Sequence, residues 1–319
     1  MSSLVRHNGL PLSEAMAFGL ASAILFAYLP FIRIHGLPLV AYRIAPRGII
    51  RRLNRDLGLG MRFERFGSPA EGTRRLNQLL EQGQPVGLQT SAFWLTYFPP
   101  DMRFHFNAHN LIVYGREAGR DGDEYLISDP VAESVVRCAR ADLEKARFAR
   151  GMLAPRGLLY YATGKPTTPD WAKLGRRAIA RAAQAMLYTP LPFVGTRGIR
   201  LLARQVSRLP DDAHARLYVG NIVRMQEEIG TGGAGFRFLY SAFLQELGSK
   251  TGYAALDPLA AQLVEIGDRW REFALAAARM IRDRDRFDGP ALAERLRAIA
   301  DDEKKFFGEL HAAQRAWAC

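Results

Sequence analysis

The sequence predicts an α+β N-terminal region followed by a mostly α-helical C-terminal region, and three observations support this. Short helical patterns alternate with β-rich runs up to residue 135. The strand signal then fades, and the stretch from Lys165 to Pro169 has the composition of a hinge. The chain has 319 residues, more than the roughly 250–300 at which a single core is usually exhausted. We therefore expect two domains, residues 1–136 and residues 137–319.

The first long element is a run of 18 residues without a charge, positions 15–32. Ser13 precedes it as a helix N-cap, so residues 13–29 are predicted to form a helix or a pair of helices. Eighteen such residues is about the lower limit for a membrane helix. Pro30, the small-residue breaks and the lack of a second span favour a helix buried in the N-terminal domain, and no signal-peptide pattern precedes it. Membrane association is not expected.

Two further helices and a strand follow. Residues 46–59 are amphipathic and reach a glycine near their end. Residues 68–83 begin with Ser68 as the cap, continue with a proline at the first helical position and stop at a glycine. The apolar run 85–95 is then predicted to form a strand.

A hairpin is predicted over residues 104–130, FHFNAHNLIVYGREAGRDGDEYLISDP, because two β-rich runs flank a Gly/Asp-rich turn. The register that pairs residue 113 with residue 125 places His109 opposite Asp129, with both side chains on one face. A carboxylate that orients an imidazole is the arrangement that nucleophilic catalysis uses. We predict that a ring nitrogen of His109 lies about 2.6–3.5 Å from a carboxylate oxygen of Asp129.

Two other patterns invite different interpretations. His105 and His109 lie four residues apart, a metal-ligand spacing on a helix, but their segment reads as a strand and its lead-in. A packed structural histidine is the alternative. The loop GTGGAGFR, residues 230–237, lacks the Lys-Ser/Thr of a phosphate-binding loop, so it is predicted to end one helix and let two helices approach closely. No cofactor or metal ion is predicted.

No residue has the sequence context of a nucleophile that this histidine could serve. The chain has two cysteines, Cys138 and Cys319, without a CxxC motif, which argues against a disulfide framework or zinc knuckle and fits a reducing, cytoplasmic location. Neither cysteine has a helix N-terminus and a neighbouring imidazole to depress a thiol pKa. Ser91 lacks a nucleophile elbow.

The net charge of +12 is concentrated in residues 137–209, which hold 15 Lys/Arg against 3 Asp/Glu. An acidic partner is expected to meet this segment, and a solvated basic face without a partner is the alternative. Nucleic acid is not expected, because no recognition motif or stacking platform accompanies the charge.

Four motifs in this order resemble the family of butirosin biosynthesis protein H. They cover nearly the whole chain and read HNGLPLSEAMAFGLASAILFAYLP, FHFNAHNLIVYGRE, YLISDP and EEIGTGGAGFRFLYSAFLQE. The resemblance implies a papain-like N-terminal domain followed by a helical domain. It also implies acyl transfer in specialised metabolism, in which an acyl or aminoacyl group moves from a carrier-protein thioester to a small-molecule amine or hydroxyl acceptor.

In this family a cysteine attacks the thioester, a histidine moves the proton and an acidic residue orients the histidine. Motif matching assigns His109 and Asp129 to the last two roles and makes an acidic acyl carrier protein the partner of residues 137–209. The family's cysteine is expected upstream of Met1, and a member that has lost the nucleophile is the alternative. Ser2 to His7 are expected to form the remaining turns of the cysteine's helix, with the N-terminal end directed toward His109. Without that cysteine we expect no transferase activity.

Two other functions stay open. One is a non-catalytic protein that holds an acyl carrier or its cargo. The other is a cysteine peptidase or amidase on the same scaffold.

Overall fold

The computed structural model describes residues 1–34, 36–119, 122–166, 168–228, 232–282 and 284–317. The chain divides into two compact units, each built from two stretches of sequence. The sheet unit comprises Met1–Leu12 and Leu53–Thr168, and the helical unit comprises Ser13–Arg52 and Pro169–Cys319. A sheet-containing N-terminal region and a helical C-terminal region confirm the predicted α+β class.

The regular elements of the described residues are as follows. The helices are α1 (Ser2–His7), α2 (Glu14–Leu20), α3 (Pro46–Leu57), α4 (Pro69–Glu81), α5 (Arg140–Arg147), α6 (Trp171–Leu187), α7 (Gly195–Val206), α8 (Ala213–Glu227), α9 (Arg237–Thr251), α10 (Leu256–Ile281) and α11 (Gly289–Ala316). The strands are β1 (Ile24–Ile34), β2 (Leu37–Arg43), β3 (Met61–Glu64), β4 (Val86–Thr90), β5 (His109–Gly119), β6 (Gly122–Ser128), β7 (Val136–Ala139) and β8 (Leu159–Ala162).

The sheet unit contains a six-stranded antiparallel sheet in the order β3-β8-β4-β5-β6-β7. Alternate residues of β4 and β5 face one core, where Leu88 is paired with Leu111. Leu76 of α4 and Leu143 of α5 belong to the same core. Side chains of this kind contribute about 1.5–3 kcal/mol each when fully buried, so the alternation of apolar residues holds the strands in register.

Strand β7 crosses the domain boundary predicted between residues 136 and 137. It pairs with β6, with Tyr125 opposite Cys138, and the chain beyond it supplies α5 and β8 to the same unit. The basic composition of this segment suggested a linker, but its apolar residues are buried in the sheet core. The predicted hinge, apart from Thr167, which is outside the described residues, contains the division between the units at Thr168 and Pro169.

The charge-free segment 15–32 is not one helix, so the prediction was wrong for its second half. Helix α2 ends at Leu20, Ser22 has a left-handed φ of 49°, and β1 begins at Ile24 and pairs with β2. Aromatic and branched residues favour the extended chain here. The segment lies in the helical unit, and Phe31 near its end is 65% exposed. Among the described residues, no helix is both long and apolar enough to cross a membrane.

A buried ion pair connects three helices of the helical unit. Arg237 of α9 donates two hydrogen bonds to Glu303 of α11, from Nε at 2.8 Å and from Nη2 at 3.1 Å. The indole Nε1 of Trp270 in α10 donates a third, at 2.7 Å. Both charged side chains are fully buried. These bonds fix the relative positions of α9, α10 and α11.

The glycine loop follows the end of α8, as predicted, although residues 229–231 lie outside the described part of the chain. Gly232, Gly233 and Gly235 all have positive φ values, which glycine adopts without a side-chain penalty. A Cβ on Gly235 would lie 2.2 Å from the ring of Tyr42 in β2. The close approach at this glycine is therefore between the loop and a strand, not between two helices.

Candidate active site

His109 and Asp129 form the predicted pair. His109 is the first residue of β5, and Asp129 directly follows β6, so both lie at the open end of the hairpin. Nε2 of His109 is 2.7 Å from Oδ2 of Asp129, which confirms the predicted distance. The Asp129 side chain is fully buried, whereas the imidazole keeps 12% of its surface exposed. An oriented imidazole with some solvent access is the arrangement that a general base needs.

The register of the hairpin differs from the predicted one by two residues. Val113 pairs with Ile127, not with residue 125. Farther along the hairpin from the site, a bulge before Gly115 shifts the pairing again. A displacement of two residues leaves every side chain on its original face. His109 and Asp129 are therefore diagonal neighbours on one face.

Asp129 receives three hydrogen bonds. Oδ2 accepts from His109 and also from the hydroxyl of Tyr97 at 2.6 Å, while Oδ1 accepts from the backbone N–H of Val131 at 3.0 Å. Burial raises the pKa of Asp129, but the interactions with His109, Tyr97 and the Val131 amide outweigh it and leave the pKa below its usual value. Asp129 is consequently a carboxylate that accepts hydrogen bonds.

The ionised carboxylate fixes the tautomer of the imidazole. An ionised carboxylate only accepts, so the proton between the two groups belongs to Nε2 of His109. In the neutral ring Nδ1 then carries the lone pair. Within the described residues, Nδ1 has no hydrogen-bond partner. The ring packs edge-to-face against Phe98, with centroids 5.3 Å apart, so its plane is held as well.

Tyr97 was missed by sequence reasoning. It lies between β4 and β5, in a segment with two short 3-10 turns and no strand or helical period, so no local pattern marks it. Only the fold of the segment against the sheet core brings its hydroxyl to Asp129.

The candidate nucleophiles of the described chain are not placed for catalysis. Cys138 is buried in the sheet core, and burial, with smaller effects of Asp142 and Glu124, raises the pKa of its thiol to about 12. The Ser91 hydroxyl is buried and has no hydrogen-bond partner among the described residues. Cys319 lies outside them.

His105 does not join the site. Its ring is exposed and stacks on Phe93 with centroids 4.0 Å apart. In the described ranges, no group of three or more His, Cys, Asp or Glu side chains could hold a metal ion.

The first residues of the chain form a helix, as predicted. Helix α1 spans Ser2–His7, buries Leu4 and Val5, and contacts β8. The predicted direction of its N-terminal end relative to His109 stays a prediction.

An antiparallel sheet that carries a buried His–Asp pair, followed along the chain by a helical region, defines a two-part α+β protein with a candidate proton-transfer site. Two family models match it: "Butirosin biosynthesis protein H, N-terminal" over residues 1–130 and a domain of unknown function, DUF4872, over residues 141–310. The chain belongs to the family defined by the DUF4872 domain, whose model covers more than half of its length, and its N-terminal region is similar to that of butirosin biosynthesis protein H. No curated protein gives a significant match.

The two family matches lie on either side of residues 131–140, close to the boundary predicted at residues 136 and 137. The compact units divide the chain elsewhere, because residues 13–52 belong to the helical unit and residues 137–168 to the sheet unit. The boundary between the two family matches therefore does not coincide with the boundaries between the two compact units. The papain-like character of the N-terminal region stays a prediction.

Proposed function

We propose that this protein is an acyltransferase that moves an acyl or aminoacyl group from a carrier-protein thioester to an amine or hydroxyl acceptor. The observation that carries the proposal is the 2.7 Å contact between His109 and the buried carboxylate of Asp129. It fixes the tautomer and orientation of a general base. The match of residues 1–130 to a family model named after a biosynthesis protein supports the reaction class.

The proposal takes its nucleophile, a cysteine thiol, from what the sequence resemblance implies. Nδ1 of His109 accepts the thiol proton while the sulfur attacks the thioester carbonyl. The carbon–sulfur bond to the carrier then breaks, and the carrier thiol leaves with that proton. The acceptor then attacks the enzyme thioester. His109 takes the proton from the acceptor and gives it to the departing enzyme sulfur. Asp129 stabilises the imidazolium that forms in each half-reaction.

An acidic carrier protein is the proposed partner, and α7 is the part of residues 137–209 best suited to it. Arg197 and Arg204 are exposed and lie seven residues apart, on one face of this helix. Two arginines of the sheet unit are less suited, since Arg137 pairs with Glu117 and Arg147 is buried in the unit. Arg197→Glu with Arg204→Glu should weaken carrier binding at low salt, whereas Lys305→Glu on α11 should not.

The decisive experiment compares two histidine variants. The protein is produced with any codons that precede Met1 in frame and is incubated with aminoacyl-pantetheine thioesters and an amine acceptor. His109→Gln should lower the transfer rate by about 10²–10⁴-fold, the usual contribution of a general base. His105→Gln removes an exposed imidazole four residues away and should leave the rate unchanged.

Four results decide between the functions. An acyl-enzyme adduct detected by intact mass, together with amide product, supports transfer. Hydrolysis without transfer indicates a peptidase or amidase. Carrier binding without turnover indicates a non-catalytic relative. Full activity of His109→Gln would falsify the assignment of the base.

A further inference from the structure

Tyr97 shares an acceptor atom with the candidate base. Its hydroxyl donates to Oδ2 of Asp129 at 2.6 Å, and this is the oxygen that Nε2 of His109 contacts at 2.7 Å. The other oxygen, Oδ1, is occupied by the amide of Val131. The carboxylate is therefore held from three directions, and a rotation that moved Oδ2 away from His109 would also break the bond to Tyr97.

The Tyr97 hydroxyl is a permanent donor. Burial raises its pKa, and the neighbouring charge of Asp129 raises that pKa further, to well above the range in which a phenolate forms near neutral pH. A hydroxyl on the same oxygen also shares the carboxylate's charge, so that charge does not act on the imidazole alone.

The same segment also supports the imidazole itself. The Tyr97 and Phe98 rings meet edge-to-face with centroids 4.8 Å apart, and Phe98 in turn packs against His109. Two consecutive residues thus reach both members of the pair, one through a hydrogen bond and one through a ring contact. A segment without regular secondary structure needs such contacts to hold a fixed conformation.

We propose that Tyr97 is a positioning residue, so that the site is a Tyr–Asp–His unit rather than a His–Asp pair. Tyr97 holds Asp129 in the orientation that directs Nδ1 of His109 away from the carboxylate and toward the reacting groups. For its effect on the rate, this inference rests on the proposed acyl transfer. For its effect on the Asp129–His109 bond, it stands on the geometry alone.

The test uses the full chain and two tyrosine-to-phenylalanine variants. Tyr97→Phe removes only the hydroxyl. Tyr125→Phe is the matched control, because Tyr125 belongs to the same core and donates a comparable bond, 2.8 Å to Asn77, without contacting Asp129. Proton NMR is expected to show a far-downfield resonance from the His109–Asp129 bond, which His109→Gln identifies by its loss. In Tyr97→Phe this resonance should move and exchange faster with water, and in Tyr125→Phe it should not.

The kinetic part of the test uses the transfer assay. Tyr97→Phe should lower kcat about tenfold, the effect of one lost hydrogen bond to a charged group, with KM unchanged. Tyr125→Phe should lose as much thermal stability as Tyr97→Phe but keep the kcat of the wild-type protein. A Tyr97→Phe protein with an unchanged resonance overturns the inference whether or not the protein transfers acyl groups. If the resonance responds but the wild-type protein shows no transfer, the positioning role holds and the proposed reaction fails.

Discussion

The buried pair of Arg237 and Glu303 gives a strong prediction about stability. Glu303→Gln keeps the shape of the side chain and retains an oxygen that can accept from Trp270. It removes the charge that balances Arg237, whose guanidinium also donates to the carbonyl of Gly235 and lies over the rings of Tyr42 and Trp270. The guanidinium would then be a fully buried cation without a counter-ion.

The expected cost follows from that burial. Removing one partner of a buried ion pair typically destabilises a protein by about 3–5 kcal/mol, because the remaining charge is left uncompensated in a poorly polarisable interior. Arg237→Met should cost a similar amount, since it leaves the carboxylate of Glu303 with only the indole N–H of Trp270. The double variant carries neither charge, so its loss should be no larger than that of either single variant. The coupling free energy is then about 3 kcal/mol or more.

The assay is urea unfolding followed by circular dichroism at 222 nm, which reports mainly on the helical unit. Lys305→Met is the control, because its partner Glu309 is 4.0 Å away and both side chains are exposed on the same helix as Glu303. Its loss should stay below about 1 kcal/mol. Single-variant losses that simply add in the double variant, or that are no larger than the control's, would refute the reasoning.

Three further predictions concern pH, thiol reactivity and backbone strain. Burial raises the pKa of Asp129, but its hydrogen bonds lower that pKa overall. The contribution of Asp129 to stability is therefore complete above the pKa of the unfolded state, about 4, and is lost as the pH falls below that pKa. Asp129→Asn should flatten the urea stability profile between pH 5 and pH 2.5. Burial, the largest effect, raises the pKa of Cys138 to about 12, so in a variant whose other cysteine is serine, a disulfide reagent at pH 8 should react only as fast as the protein opens. Gly235 has a φ of 55°, and an added Cβ would lie 2.2 Å from the Tyr42 ring, whereas Gly232 has a φ of 65° and open space around the added carbon. In the same urea assay, Gly235→Ala should therefore lower the free energy of unfolding by about 1–3 kcal/mol more than Gly232→Ala.

The His–Asp pair could be predicted from sequence because the prediction depended only on parity, that is, on whether the strand register is offset by an even or an odd number of residues. Any register of the hairpin that moves by two residues keeps His109 and Asp129 on one face, and the structure differs from the expected register by two. An error of one residue would have separated them. In the structure Leu111 and Val113, which share the parity of His109, belong to the sheet core, and so do Tyr125 and Ile127, which share that of Asp129.

The first 52 residues show what a local pattern could not determine. The run 15–32 has the composition of a buried helix, yet β1 forms from its second half because β2 supplies a partner strand and α7 packs against β1. Propensity is a weak prior where tertiary contacts decide. The same limit hid Tyr97, whose role depends on a contact with a residue 32 positions away along the chain.

Among the described residues, the buried carboxylates of Glu303 and Asp129 accept three hydrogen bonds each, and they differ in the kind of donor. Glu303 receives its bonds from Arg237 and Trp270, whose side chains offer N–H donors and no acceptor, and both charged side chains are fully buried. Asp129 instead accepts from the Nε2 of an imidazole that is 12% exposed and whose Nδ1 does not contact the carboxylate. Of the donors in the two clusters, only this ring has a second nitrogen that can accept a proton while Nε2 stays bound to the carboxylate. Satisfying a buried charge explains the first cluster completely. Under the proposed function the second cluster has a further task, because His109 accepts and returns a proton at Nδ1.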